Sequence, residues 1–296
     1  MLTNTLEQTY YVIDFDSTFT QVEGLDELAN IALAGNPNRE KIVQQIRDLT
    51  EKGMNGEMSF AEGLRSRVSL LQANRSHIDA LVDFLRTKIS DSFIRNRTFL
   101  KDYADTILIV SSGFKEFIVP IVTELGLKEE NVYANTFRFD EEGNIIGLDD
   151  DNVLSQDKGK VKLLQSLQLQ GDVCAIGDGY TDYELRESGV AQHFYAFTEN
   201  VERENVTKVA DYVVPSLDDF LFLKNLVYPG ETGFKRQRHV VGKSQRRGTR
   251  ATFGAIHHNE VGQNFALQHS FHNAKPFPWM TNAQFETYRF AFAQGA

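Results

Sequence analysis

Two short apolar runs are followed by paired aspartates: Asp14 and Asp16 after YYVI, and Asp178 and Asp182 around the end of DVCAIG. Ser111 closes a third run, TILIV, and Lys158 opens the helical-looking segment KGKVKLLQSL. Carboxylates crowded at one place raise one another's pKa unless a cation neutralises them. An oxygen-only donor set with one or two direct carboxylate ligands suits Mg²⁺ better than zinc. A magnesium site beside one lysine and one serine hydroxyl is a phosphate site, in which the lysine supplies charge, the serine a donor, and the metal draws charge from phosphoryl oxygens. Taken singly, each signal is weaker. DFDST alone reads as an acidic turn or cap, and KGKVK as an ordinary solvated helix start.

For these side chains to converge, the apolar runs must be neighbouring strands that point the same way. Tyr10 to Asp14, Thr106 to Val110 and Asp172 to Ile176 have the length and continuous hydrophobicity of buried parallel strands, and HFYAF and YVVP supply two more. Residues 22–90 are instead helical in pattern, with apolar residues three and four apart in LDELANIAL, REKIVQQIRDLTEKGM, FAEGLRSRVSLL and HIDALVDFLRTKI. FKEFIVPIVTELG gives an amphipathic helix after TILIV, and FRFDEEGNIIGL gives two extended pieces around an acidic glycine turn. Strands alternating with helices predict an α/β fold: a mostly parallel sheet with helices on both faces, interrupted after its first strand by a helical insertion. Ligands of such sheets bind beyond the carboxyl ends of the strands, where the aspartates lie.

In order and spacing, DFDST, VSSG, DKG and GDGYTD resemble the four motifs of phosphatases of the haloacid dehalogenase (HAD) superfamily. Within it the chain is similar to the phosphoserine phosphatases, because VEGLDELA and MNGEMSFAEGLRSRVSLL in the insertion also match. The resemblance covers roughly residues 9–228. It implies a HAD-like Rossmannoid core from residues 1–21 and 91–229, with an inserted helical cap over 22–90. It also implies a Mg²⁺-dependent phosphomonoesterase that acts on L-phosphoserine through an aspartyl-phosphate, as in serine biosynthesis. By position, Asp14 matches the nucleophile and Asp16 the general acid and base. Asp14, the Asp16 backbone carbonyl and Asp178 match the metal ligands, and Asp182 an outer carboxylate. Ser111 and Lys158 match the phosphate holders, with Ser112 and Gly113 beside them. In the cap, Glu23 matches the carboxylate near the substrate amino group, Arg67 the clamp on its carboxylate, and Met54 and Phe60 the apolar closure.

Two positions depart from the commonest family pattern. Ser112 stands where a second glycine is usual, and Thr181 where an asparagine is usual, so altered rate or preference is expected rather than inactivity. The alternatives left open are another small phosphomonoester, phosphotransfer to homoserine, and a low-turnover phosphate-binding regulatory module.

The composition bounds what surrounds this core. With 296 residues, 41% hydrophobic and 24% charged, the chain can bury a core without cross-links, and its single cysteine, Cys174, excludes an internal disulfide. No basic leader or long apolar run occurs, so a cytoplasmic protein is expected, with neither a membrane nor a nucleic-acid partner for the core. The net charge of −10 divides unevenly. Residues 230–296 hold nine Lys and Arg against three acids, leaving the rest with 22 basic and 38 acidic residues. That basic extension has only five Leu, Ile or Val residues among 67, so it is expected to be poorly ordered. Nothing in the composition excludes a homo-oligomer.

Overall fold

β-Branched and aromatic residues in continuous runs form the strands at the centre of the computed structural model, which describes residues 8–54, 57–226 and 241–242. The strands are β1 (Thr9–Ile13), β2 (Ile107–Phe114), β3 (Val132–Asn135), β4 (Phe137–Phe139), β5 (Ile145–Leu148), β6 (Asp172–Gly177), β7 (His193–Phe197), β8 (Tyr212–Val214) and β9 (Val241–Gly242). Seven of them make one sheet in the order β3-β2-β1-β6-β7-β8-β9. Every pairing from β3 to β8 is parallel, and β9 joins β8 antiparallel. β1 therefore lies between β2 and β6, with Ile13 level with Ile109 and Ile176. The strand order thus sets the three expected motif strands side by side.

Both faces of this sheet are covered, which is why its strands read as unbroken apolar runs rather than alternating ones. Tyr11 and Ile13 face one cluster, with Phe99, Phe117, Phe197 and Phe220, while Val12 between them faces the other, with Leu164, Val173 and Phe194. The helices are α1 (Gly24–Ala32), α2 (Arg39–Met54), α3 (Phe60–Leu70), α4 (Arg75–Arg86), α5 (Asp91–Arg95), α6 (Arg97–Asp102), α7 (Lys115–Glu124), α8 (Gly159–Leu167), α9 (Tyr180–Glu187), α10 (Glu204–Thr207) and α11 (Leu217–Leu223). The expected helical insertion corresponds to α1 to α4, whose Leu25, Leu28, Leu64 and Leu81 share the cluster of Tyr11 and Ile13.

The expected hairpin is the separate antiparallel ribbon β4–β5. It meets the insertion through a bridge between Asn74 and Asn144, and the Arg75 guanidinium lies over the Phe139 ring at 3.8 Å. Of the basic extension, residues 241–242 form β9; the boundary expected at residue 230 and the rest of that segment lie outside the described residues. Among the described residues no helix is long and apolar enough to cross a membrane.

Candidate active site

β1 delivers its aspartates in different ways. Asp14 stands just past the strand end, 4% exposed, and its Oδ1 accepts from the Phe15 N–H at 2.7 Å. The chain then makes a tight turn over Phe15–Phe19, in which Ser17 has φ +54°, a left-handed conformation costly for a residue with a Cβ. That turn folds Asp16 back, so that its Oδ1 accepts from the Gly24 N–H at 2.7 Å at the start of α1. A Cβ at Gly113 would sit 2.8 Å from Asp16 Oδ2 and 3.2 Å from Ser111 Oγ, so the glycine lets β2 close against both groups. Ser111 is fully buried, and its Oγ accepts from the Gly113 N–H at 2.9 Å. Ser112 is half-buried, and its carbonyl accepts from Asn135 Nδ2 at 2.9 Å.

From β6, Asp178 accepts from Thr18 Oγ1 at 3.0 Å and from Arg203 Nε at 3.1 Å. Asp182, in the first turn of α9, accepts from the Gly179 N–H at 3.1 Å and lies so close to β6 that a Cβ on Gly177 would meet its Oδ2 at 2.2 Å. Asp14, Asp178 and Asp182 each bring a carboxylate oxygen within 4.8 Å of the others.

Of the lysines at the start of α8, the one expected among the phosphate holders, Lys158, is not the one that lies among the aspartates. Lys158 has φ +56°, caps α8 from outside and is exposed at the rim of a cleft. The ammonium among the aspartates belongs to Lys160, 3.0 Å from Asp14 and 2.7 Å from Asp182. The physical reason is helical geometry: side chains two apart at a helix start point to different sides, and only one can face the sheet. Gly159 settles which, because a Cβ there would meet the Val153 carbonyl oxygen at 2.5 Å. The missing side chain lets α8 press against the preceding turn and carries Lys160 inward.

In the insertion, Glu23 precedes α1, accepts from Ser17 Oγ at 2.6 Å and lies 3.9 Å from Arg203. Arg67 is buried on α3; one of its terminal nitrogens donates to Thr50 Oγ1 at 3.1 Å, while its Nε has no hydrogen-bond partner. A buried, unpartnered guanidinium N–H is costly, and an incoming anion would satisfy it. Phe60 is half-buried at the start of α3 and lines the cleft with Ser112, Lys158, Lys160 and Thr181. Met54 ends α2, and its side chain lies outside the described residues.

Acids outnumber cations here, and the proton equilibria show it. Burial pushes the Asp16 carboxyl well above the usual range, and the charges of Glu23 and Asp14 push it further. Burial, then Glu23, lifts Asp178 to about 7, and burial, then Asp26, lifts Glu23 to about 7. Burial opposes the charge of Lys160, but Asp14 and Asp182 outweigh it and hold the ammonium above its ordinary value. Three clustered carboxylates, two of which, Asp178 and Asp182, are pushed upward by burial and by neighbouring negative charge, fit a hard divalent cation.

Two residues at the site carry no signal in the sequence. Arg203 is buried between Asp178, Glu23 and Glu51, the last at 2.7 Å. Asn200 donates to several backbone carbonyls behind the Asp16 turn. VEREN and TEN match no motif, and only the loop after β7 brings them here.

No protein-family model matches the chain. The chloroplastic phosphoserine phosphatase of Arabidopsis thaliana is 30% identical over 204 residues, 68% of this chain and 66% of that protein. A probable phosphoserine phosphatase of Schizosaccharomyces pombe is 30% identical over 230 residues, 72% of this chain and 68% of that protein. Among solved structures, a phosphoserine phosphohydrolase-like protein from Francisella tularensis matches with a TM-score of 0.66 and 29% identity, over 73% of this chain and 99% of that one. A phospho-aspartyl intermediate analogue of phosphoserine phosphatase shares the fold, with a TM-score of 0.61 at 23% identity, over 73% of this chain and 99% of that one.

Proposed function

The chain belongs to the phosphoserine phosphatase family of the HAD superfamily, and on that premise we propose that it hydrolyses L-phosphoserine to L-serine and phosphate at the Asp14–Asp16 site. The observation that carries this reading is the pairing at the end of β1: an aspartate held by a backbone N–H and an ammonium, beside a second, buried aspartate that is turned back onto the Gly24 N–H and whose carboxyl burial pushes well above the usual range. Both contacts on Asp14 fall on Oδ1, which leaves Oδ2 to attack phosphorus. As the bond from phosphorus to the serine oxygen breaks, Asp16 gives its proton to that oxygen, and L-serine leaves. Asp16, now a carboxylate, takes a proton from water. The water oxygen attacks phosphorus, the bond to Asp14 breaks, and phosphate is released.

Lys160 and Ser111 hold the phosphoryl oxygens, with Lys160 in the role that the resemblance gives to Lys158. Asp14, Asp178 and the Asp16 carbonyl would hold Mg²⁺, with Asp182 behind them; the cation would neutralise phosphoryl charge. For the substrate's other end, Arg67 offers its unpartnered Nε to a carboxylate, and Glu23 faces an ammonium. Phe60 helps to shut water out.

The substrate class is tested by Arg67→Ala, assayed on L-phosphoserine and on an aryl phosphate that has no carboxylate. Removing one charge-assisted clamp costs about 1.5–3 kcal/mol, a fall of about 10- to 150-fold in kcat/KM for phosphoserine with the aryl phosphate nearly unchanged. An equal fall on both would remove Arg67 from substrate recognition and favour another small phosphomonoester.

A further inference from the structure

The turn that carries Asp16 is also where the chain leaves the sheet for the helical insertion. The return path lies beside it: Thr20 bridges Ile89, the Gln21 N–H donates to the Lys88 carbonyl at 2.8 Å, and the Ser90 N–H to the Phe19 carbonyl at 3.0 Å. The two crossings are thus a short paired ribbon. One side chain from outside that ribbon reaches both strands of it. Asn200, in the loop after β7, directs Nδ2 at the carbonyls of Ser17, Thr18 and Thr20, at 3.1, 3.3 and 3.2 Å, and at Ser90 Oγ, at 2.7 Å. Ser90 Oγ passes the contact on, donating to the Thr18 carbonyl at 2.7 Å.

We propose that Asn200 is the positioning residue for the general acid, its amide holding the turn Phe15–Phe19 in the conformation that presents Asp16. The inference rests on the phosphatase reading of Asp14 and Asp16. Ser17 is held in a left-handed conformation that a non-glycine residue adopts only when its surroundings impose it. Asn200 binds the carbonyl of that residue and of the next, the two residues that follow Asp16. The side chains of the same two residues hold Glu23 at 2.6 Å and Asp178 at 3.0 Å, so a turn that relaxes would release both sides of the site. The neighbouring Glu199 accepts from the N–H and hydroxyl of Ser92, which fixes the loop that presents the amide.

Asn200 touches no reacting atom, so its effect must pass through proton delivery to the leaving group. The readout is leaving-group dependence. Phenyl phosphate and 4-nitrophenyl phosphate have nearly the same shape, but phenolate is the more basic leaving group and needs its proton more. Asn200→Ala should lower kcat/KM for phenyl phosphate about tenfold or more and for 4-nitrophenyl phosphate about twofold, since misplacing a catalytic group by about 1 Å can cost as much as 100-fold. Asn200→Ser, which keeps a shorter donor, should fall between wild type and Asn200→Ala, and it carries the same readout if the alanine variant does not fold. Equal losses on the two esters, or a lowered Tm with unchanged kcat/KM, would overturn the inference and leave Asn200 a purely structural residue. Wild-type protein inert on both esters and on L-phosphoserine would instead overturn the phosphatase reading and this inference with it.

Discussion

Replacing Lys160 by methionine keeps the length of the side chain and removes its charge, and the neighbouring Lys158→Met makes the same change two residues away. Lys160 is 3% exposed and contacts Asp14 at 3.0 Å and Asp182 at 2.7 Å. At an effective dielectric near 20, each attraction at about 3 Å is roughly 5 kcal/mol, opposed by several kcal/mol of desolvation. Breaking a buried pair from one side leaves the carboxylates uncompensated, with a net loss of about 3–5 kcal/mol in stability. The raised pKa of Lys160 sets the pH range of that loss. Its contribution is complete below the ordinary lysine value of 10.5 and disappears only as pH rises through the higher folded-state value, so a measurement at pH 7 reads all of it. Loss of a donor to the phosphoryl oxygens should also lower kcat by about 10²–10³. Lys158 is exposed, and its replacement should change stability by less than about 0.5 kcal/mol and kcat/KM by less than about threefold. Urea unfolding and steady-state phosphate release on both variants give the comparison. A larger catalytic loss in Lys158→Met than in Lys160→Met would refute the assignment.

Glu23 is raised from 4.5 to about 7, so the folded protein holds a proton there that the unfolded chain releases, and this group lowers stability as pH rises from 4.5 to about 7. Glu23→Gln should therefore flatten the pH dependence of unfolding in that window and stabilise the metal-free protein at pH 8 by on the order of 2 kcal/mol; a steeper dependence would contradict this. The same variant should raise KM for L-phosphoserine while leaving an aryl phosphate unaffected. Gly177→Ala places a Cβ 2.2 Å from the present position of Asp182 Oδ2 and must displace that carboxylate. Its kcat should fall about 100-fold, as misplacement by about 1 Å can cost, and wild-type activity would contradict the close approach.

Much of this arrangement is legible in the sequence, because parallel strands buried on both faces leave unbroken apolar runs and the motifs sit at their ends. YYVI, TILIV and DVCAI each correspond to a strand, β1, β2 and β6, and the polar residues at their ends can converge only if these strands are neighbours, as the sheet order β2-β1-β6 has them. β2 extends past Val110 to Phe114, because Ser111 to Gly113 continue the extended backbone rather than ending it. The lysine is not legible in the same way. KGKVK offers three lysines, Lys158, Lys160 and Lys162, and which of them turns inward depends on the left-handed backbone of Lys158 and on the contact that Gly159 permits with Val153. Arg203 and Asn200 have no local pattern at all: the loop after β7 brings them to the site only once the strand order β1-β6-β7 exists.

The most direct measurement is phosphate release from L-phosphoserine and a panel of other phosphomonoesters, in Mg²⁺ and in EDTA, by wild type and by Asp14→Asn. The account predicts metal-dependent turnover with a strong preference for L-phosphoserine, abolished in a folded Asp14→Asn protein. Asp14→Asn turning over at the wild-type rate, or a folded wild type that releases no phosphate from any ester, would contradict it.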